Sequence, residues 1–107
     1  MNKRLSYLSD IVAKANDAFA ARSMRDDTMM GIMEGVLRKQ GINADALTLD
    51  CPARDKKMVF LLHDDQPDQV TVALGNKAGD IHSSSDHPTS ELTQAVLVDM
   101  MNDYFTG

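Results

Sequence analysis

The chain has 107 residues, of which 43% are hydrophobic and 25% charged, and these proportions are typical of one folded domain spanning residues 1–107. No apolar run reaches the roughly 18 residues that a transmembrane helix requires, and charged residues interrupt the first apolar segment, which argues against a signal peptide. Residues 41–107 carry four basic and eleven acidic side chains, and this net charge of −7 disfavours binding to nucleic acid or to an anionic membrane.

The first forty residues predict two helices. Residues 4–22 contain an apolar seam whose members are three or four residues apart and therefore share one helical face. This seam consists of Leu5, Leu8, Val12, Ala15 and Phe19. The segment MRDDTMMGIMEGVLRKQG predicts a second helix, because Asp26 or Asp27 can cap its start and Gly41 favours its end. Two helices separated at residues 23–27 and one bent helix both satisfy this pattern, and the sequence does not decide between them.

Three antiparallel strands are predicted in the middle of the chain. The segments ALTLDC and QVTVALG alternate apolar and polar residues, whereas KMVFLLH is apolar on both faces. Residues 57–63 are therefore expected at the centre of a three-stranded meander, with PARDK and DDQPD as its turns. A short extra strand near Ile81 is an alternative, and PTSELTQAVLVDMMNDYF predicts a closing helix capped by Thr89 or Ser90. The predicted class is α+β, with two N-terminal helices or one bent helix, a three-stranded antiparallel β-meander and a C-terminal helix.

The two faces of the predicted sheet differ in composition. Met58, Phe60 and Leu62 are expected to face the helices, and the reverse assignment of the two faces is the alternative. The opposite face has Val59 and Leu61 at its centre. Small or polar residues ring this pair, namely Thr48, Asp50, His63, Thr71 and Ala73. An apolar centre inside a polar rim is the composition of a protein interface.

The densest cluster of ionisable residues is the segment HDDQPD, in the turn after the second strand. It contains His63, Asp64, Asp65 and Asp68. The segment lacks the alternating ligands and the glycine of an EF-hand loop, and adjacent aspartates diverge in an extended chain. We therefore predict the polar tip of a hairpin and assign no catalytic, cofactor-binding or metal-binding residue. The alternative is a weak divalent-metal-binding protein or a small hydrolase-like enzyme that uses these four residues.

Two further features have less specific signals. The segment DIHSSSDHPTSE holds His82 and His87 beside serines, and it is predicted as a polar loop before the closing helix, because catalytic triads assemble from distant positions. Cys51 is the single cysteine and is expected to be buried and inert. Without a second cysteine no intramolecular disulfide can form, which fits the reducing cytoplasm, where we expect the protein.

Surplus apolar surface predicts self-association. A methionine stripe runs through the second predicted helix, at Met24, Met29, Met30 and Met33. Such a stripe fits either an ordinary core or an adaptable binding surface, and Gly31 and Gly35 favour close approach of another backbone. We therefore predict a non-enzymatic, acidic homodimer that binds or regulates another protein and uses no cofactor. Its interface candidates are Leu8, Val12, Phe19, Met29, Met33, Val59 and Leu61.

Overall fold

The computed structural model describes residues 3–22 and 28–106, without the side chain of Arg22. The helices are α1 at Lys3–Arg22, the single turn α2 at Val36–Lys39, and α3 at Gln94–Met101. The strands are β1 at Met29–Met33, β2 at Ala44–Cys51, β3 at Lys56–His63, β4 at Gln69–Gly75 and β5 at Ile81–Pro88. Short 3-10 turns lie at Pro52–Arg54 and Thr89–Glu91, and a π-helical turn at Asn102–Thr106 follows α3. Helices α1 and α3 pack on one face of the sheet that the strands form.

The strands lie in the sheet in chain order, from β1 to β5, and each pairs antiparallel with the next. This arrangement confirms the α+β class, the antiparallel sheet and the central position of β3. The three-stranded meander is wrong, because one further strand extends the sheet at each edge. β5 lies where a polar loop was predicted. It begins at Ile81, the residue near which a short extra strand was the alternative. Its side chains are almost all exposed, so no apolar alternation marks it as a strand.

The second predicted helix is wrong over most of its length, and the N-terminal region contains one long helix, α1. The methionine-rich segment forms β1, which pairs with β2 from Met29 to Met33. Gly31 would cost a helix about 1 kcal/mol relative to alanine, whereas pairing with β2 satisfies the backbone within the sheet. The predicted boundary and its caps, Asp26 and Asp27, lie outside the described residues.

The short helix α2 ends as the sequence predicts, at Gly41. The φ angle of Gly41 is 85°, in the left-handed region that glycine adopts without strain. Its N–H donates to the carbonyl of Arg38 at 3.1 Å, and the N–H of Ile42 donates to that of Leu37 at 2.9 Å. These are the paired bonds of a Schellman cap, and they turn the chain from α2 toward β2.

The core lies between the helices and one face of the sheet. The predicted seam of α1 is fully buried along its length, from Leu5 to Phe19. The sheet contributes Met58, Phe60 and Leu62 to the same cluster, so the structure has the first of the two face assignments that the sequence allows. The long first helix is therefore a cover for the central strand.

The closing helix α3 begins later than predicted. Thr93 is its N-cap, and the Thr93 hydroxyl accepts the N–H of Val96 at 3.3 Å. The predicted caps, Thr89 and Ser90, lie in a 3-10 turn because β5 extends to Pro88. The buried face of α3 consists of Leu97, Val98 and Met101. In the described ranges, neither α3 nor another helix has the length and apolar character to cross a membrane.

Replacing Phe19 by alanine should lower the free energy of unfolding by about 3–5 kcal/mol, because it removes a fully buried ring. That ring packs edge-to-face on Phe105, with centroids 5.9 Å apart. Tyr7→Ala is the matched control on the same helix, since Tyr7 is 54% exposed and its loss should cost about 0.5 kcal/mol or less. Urea unfolding followed by circular dichroism measures both variants. Equal losses for the two would contradict the burial of the α1 seam.

Candidate functional site

One face of the sheet is not covered by α1 and α3, and we call it the open face. Its side chains alternate along each strand with those of the core, and the strand register places them in rows across the sheet. The open face comprises Met29, Gly31, Met33, Ala46, Thr48, Val59, Leu61, Thr71 and Ala73. Four strands thus contribute to a single surface.

The centre of the open face is apolar. Val59 and Leu61 are half-buried on β3, and their neighbours across β2 are Thr48 and Ala46. Ala73 of β4 lies opposite Val59 on the other side. The three neighbours have short side chains that are at most 6% exposed, so the two larger residues shape the accessible surface. An apolar centre of this kind suits contact with another protein.

Polar side chains border this centre. At one end of the strands, Lys57 Nζ lies 3.7 Å from Asp50 Oδ1, and the two residues are cross-strand partners. Toward β5, Thr71 Oγ1 donates to Asp86 Oδ1 at 2.6 Å. His63 is half-buried at the opposite end of β3. The polar residues predicted from the sequence therefore border the centre at both ends of β3 and toward β5, whereas the β1 side consists of Met29, Gly31 and Met33.

At Gly31, no side chain projects from β1 onto the open face. It pairs with Thr48, and a Cβ atom at Gly31 would lie 2.7 Å from Thr48 Oγ1. The close approach expected at this glycine is thus made by a side chain of the neighbouring strand within the same chain. Because β1 has no side chain here, the row across β1 and β2 stays shallow.

The structure divides the predicted interface residues into two groups. Those on the open face are Met29, Met33, Val59 and Leu61. Those in the core are Leu8, Val12 and Phe19, which are at most 1% exposed. Since α1 uses its three side chains to cover the sheet, the first group supplies the surface that is available to a partner.

Further exposed apolar side chains lie on or near β1. Met29 is 60% exposed, Ile32 44%, and Val36 and Ile42 42% each. Sequence reasoning missed the last three, because it placed the segment in an amphipathic helix. The uninterrupted apolar run MMGIM around a glycine is the signal that could have indicated a strand at a sheet edge.

Arg38 of α2 binds two carboxylates at one end of the sheet. Its guanidinium donates to the two oxygens of Asp64 at 2.7 and 2.8 Å, and to those of buried Asp45 at 3.2 and 3.1 Å. The hydrogen bonds to Asp64 and then Asp45 raise the pKa of Arg38. The bonds from Arg38 in turn hold the pKa of Asp64 below its ordinary value. This carboxylate is therefore already occupied by a cation.

The side chain of Arg4, on α1, binds backbone carbonyl groups of the loop that follows β3. It donates to the carbonyl oxygens of His63 at 2.8 Å and Gln66 at 2.7 Å, and also to that of Gln69. Burial lowers the pKa of Arg4. Two guanidinium groups beside the loop oppose the approach of a divalent cation. Among the residues that the structure describes, no group of three or more His, Cys, Asp or Glu could hold a metal ion.

The other candidate residues are dispersed. Asp65 and Asp68 are exposed in the loop after β3. Ser85 Oγ and His87 Nε2 lie 2.8 Å apart on β5, a strand whose side chains are nearly all exposed to solvent. Cys51 is buried, as predicted. The ionisable residues thus stabilise turns and edges.

Comparisons with protein-family models, curated proteins and solved structures found no match to this chain. The open face and the β1 edge are accordingly the features from which we infer a function.

Arg38→Gln should raise the pKa of Asp64 toward its ordinary value of 3.8, because the variant loses the hydrogen bonds that favour the carboxylate. A lowered folded-state pKa contributes stability above the unfolded value, and that contribution is lost as the pH falls through the folded value. The urea midpoint of the variant should therefore lie below wild type near neutral pH, with the gap narrowing below about pH 4.

NMR titration of the Asp64 carboxyl carbon measures this shift. Lys39→Gln, at the next residue of α2, is the control and should leave the titration of Asp64 unchanged. An Asp64 that titrates at or above 3.8 in the wild type would contradict the contact with Arg38.

Proposed function

We propose that this chain is a non-enzymatic homodimer that binds or regulates another protein through the open face. The observation that carries the proposal is the apolar centre at Val59 and Leu61, inside a polar rim, on the face that α1 and α3 leave uncovered. Interface cores are depleted in charge and bordered by polar residues, and the open face has this composition.

The central strand departs from what a solvated sheet face requires. Antiparallel sheets with one face in water alternate apolar and polar residues, but β3 places Val59 and Leu61 where polar residues would lie. Full burial of such a side chain contributes roughly 1.5–3 kcal/mol, and both are half-buried within the chain, so a partner would gain part of that energy. This remaining gain favours a protein contact.

No comparable observation supports the alternative, a metal-binding protein or hydrolase-like enzyme that uses the loop after β3. It requires the carboxylates of the loop after β3 to hold a metal ion or to move protons. Arg38 instead occupies both oxygens of Asp64, and Arg4 holds the loop backbone from α1. We therefore assign the loop a structural role in joining the sheet to the helices.

The apolar surface on and near β1 supports the homodimer. Met29 and Ile32 lie on β1 itself, and Val36 and Ile42 lie in the connection to β2. A chain of this length can bury limited surface, and a twofold dimer is the commonest way to cover what is left.

Light scattering on size-fractionated protein should give twice the chain mass of 11.8 kDa at roughly tens of micromolar. Met33→Asp should lower the mass toward one chain, because it places a charge in the apolar surface beside β1. Asp65→Ala, in the exposed loop, should leave the dimer intact. A single-chain mass for the wild type throughout the concentration range would contradict the homodimer.

Leu61→Glu should reduce capture of a protein partner by about tenfold or more, because it buries a charge at the centre of the interface. Val96→Glu is the matched control, since Val96 is an exposed apolar residue on α3. Immobilised wild type and both variants are incubated with native cell extract, and bound proteins are quantified by mass spectrometry. The proposal requires at least one protein that binds wild type and Val96→Glu but not Leu61→Glu. Identical capture by all three would contradict a binding role for the open face.

A further inference from the structure

We infer that the homodimer forms by antiparallel pairing of β1 with β1 of a second copy, centred on Gly31, so that two five-stranded sheets join into one of ten strands. This inference rests on the proposed homodimer and specifies its geometry. It follows from a difference between the two edges of the sheet, and from the symmetry of the β1 sequence about its central residue.

The β5 edge carries the features by which proteins prevent edge-to-edge pairing. Its sequence IHSSSDHP includes Asp86 and ends at Pro88, which has no N–H to donate. The register between β4 and β5 shifts at Leu74 and Gly75, and such an irregularity distorts an edge. Charge, proline and bulges all discourage another strand from pairing.

The β1 edge carries none of these features. Its sequence MMGIM has no charge and no proline, and all five residues pair with β2 in consecutive register. In the described part of the chain, β1 has β2 as its sheet neighbour and no strand on its outer side. A regular, uncharged edge strand of this kind is a template for another strand.

The sequence of β1 is self-complementary under a twofold axis. With Gly31 opposite Gly31 of the second copy, Met29 lies opposite Met33, and Met30 opposite Ile32, in both directions. Every pair is therefore apolar with apolar, and no side chains meet at the axis. An interface around a twofold axis requires this kind of self-matching patch. The pairing would also cover Ile32, which is 44% exposed in the single chain.

The charges around β1 match a second copy better than a charged partner. Asp50, opposite Met29, already lies 3.7 Å from Lys57, and Arg38 is bound to carboxylates. A highly charged partner would find no free counter-charge among these groups. Within Met29–Met33 a second β1 edge brings no charge into the contact, and in this register the flanking Glu34 of each copy falls opposite Thr28 and not opposite a like charge.

Pairing through β1 would make the two open faces continuous. The row from Val59 through Thr48 to Gly31 would run on into the same row of the second copy. The two apolar centres would then lie on the same side of one sheet. A partner protein that extends along the sheet could contact both.

The double variant Met29→Cys/Met33→Cys tests the register. Paired residues on antiparallel strands have Cα atoms roughly 4.5–5.5 Å apart, within the range for a disulfide. Residue 29 and its own symmetry mate would be roughly 13 Å apart. After mild oxidation, most of the double variant should run as a covalent dimer on a denaturing gel without reductant, and each single variant should run there as a single chain. The single variants also contain Cys51, so they control for the native thiol.

Charge placed on each edge tests which edge pairs. Ile32→Lys should reduce the light-scattering mass to one chain with the circular dichroism spectrum unchanged. Ile81→Lys on β5 should stay dimeric, and its position is 53% exposed against 44% for Ile32. If Ile32→Lys does not fold, the cross-linking result decides. A dimeric wild type with no cross-link in the double variant overturns the β1 pairing and leaves the homodimer standing. A monomeric wild type overturns the homodimer and the pairing together.

Discussion

The central strand β3 is apolar on both faces, and the helices α1 and α3 cover one of them. Met58, Phe60 and Leu62 enter the core under these helices. Val59 and Leu61 point the other way and stay half-buried among short neighbours. The surplus apolar surface follows from this imbalance, because α1 and α3 both pack on the face of Met58, Phe60 and Leu62.

The ionisable residues constrain the same architecture. Arg4 binds the backbone of the loop after β3 from α1, and Arg38 binds Asp64 and buried Asp45 from α2. These contacts tie one end of the sheet to α1 and α2, and Arg38 pairs with Asp64, one of the carboxylates that suggest a metal site. These ionisable residues therefore stabilise the fold, and the exposed apolar surface lies on the open face and along β1.

Sequence periodicity predicted the elements whose residues have a buried face. The α1 seam marks a face that packs on the core, and the apolar character of both β3 faces indicates a central strand, so the long helix and the position of β3 were predictable. Which face of β3 meets the helices was not predictable, because both faces are apolar. β5 was not predicted as a full strand, because its side chains are almost all exposed and leave no periodic signal. β1 was predicted as part of a helix, because methionines around Gly31 also fit a helical stripe. Pairing with β2 decides between helix and strand. The rim of the open face was predictable from alternation alone, whereas the edge position of β1 depends on a strand order that no local pattern contains.

The measurement that tests self-pairing of the surplus apolar surface most directly is amide hydrogen exchange at two protein concentrations, one above and one below the dissociation constant of the dimer. The β1 amides should exchange more slowly in the concentrated sample, because pairing with a second copy protects the outer edge of that strand, and the β5 amides should exchange equally in both. Equal exchange of the β1 amides at both concentrations, or protection that appears in β5 instead, would contradict the account.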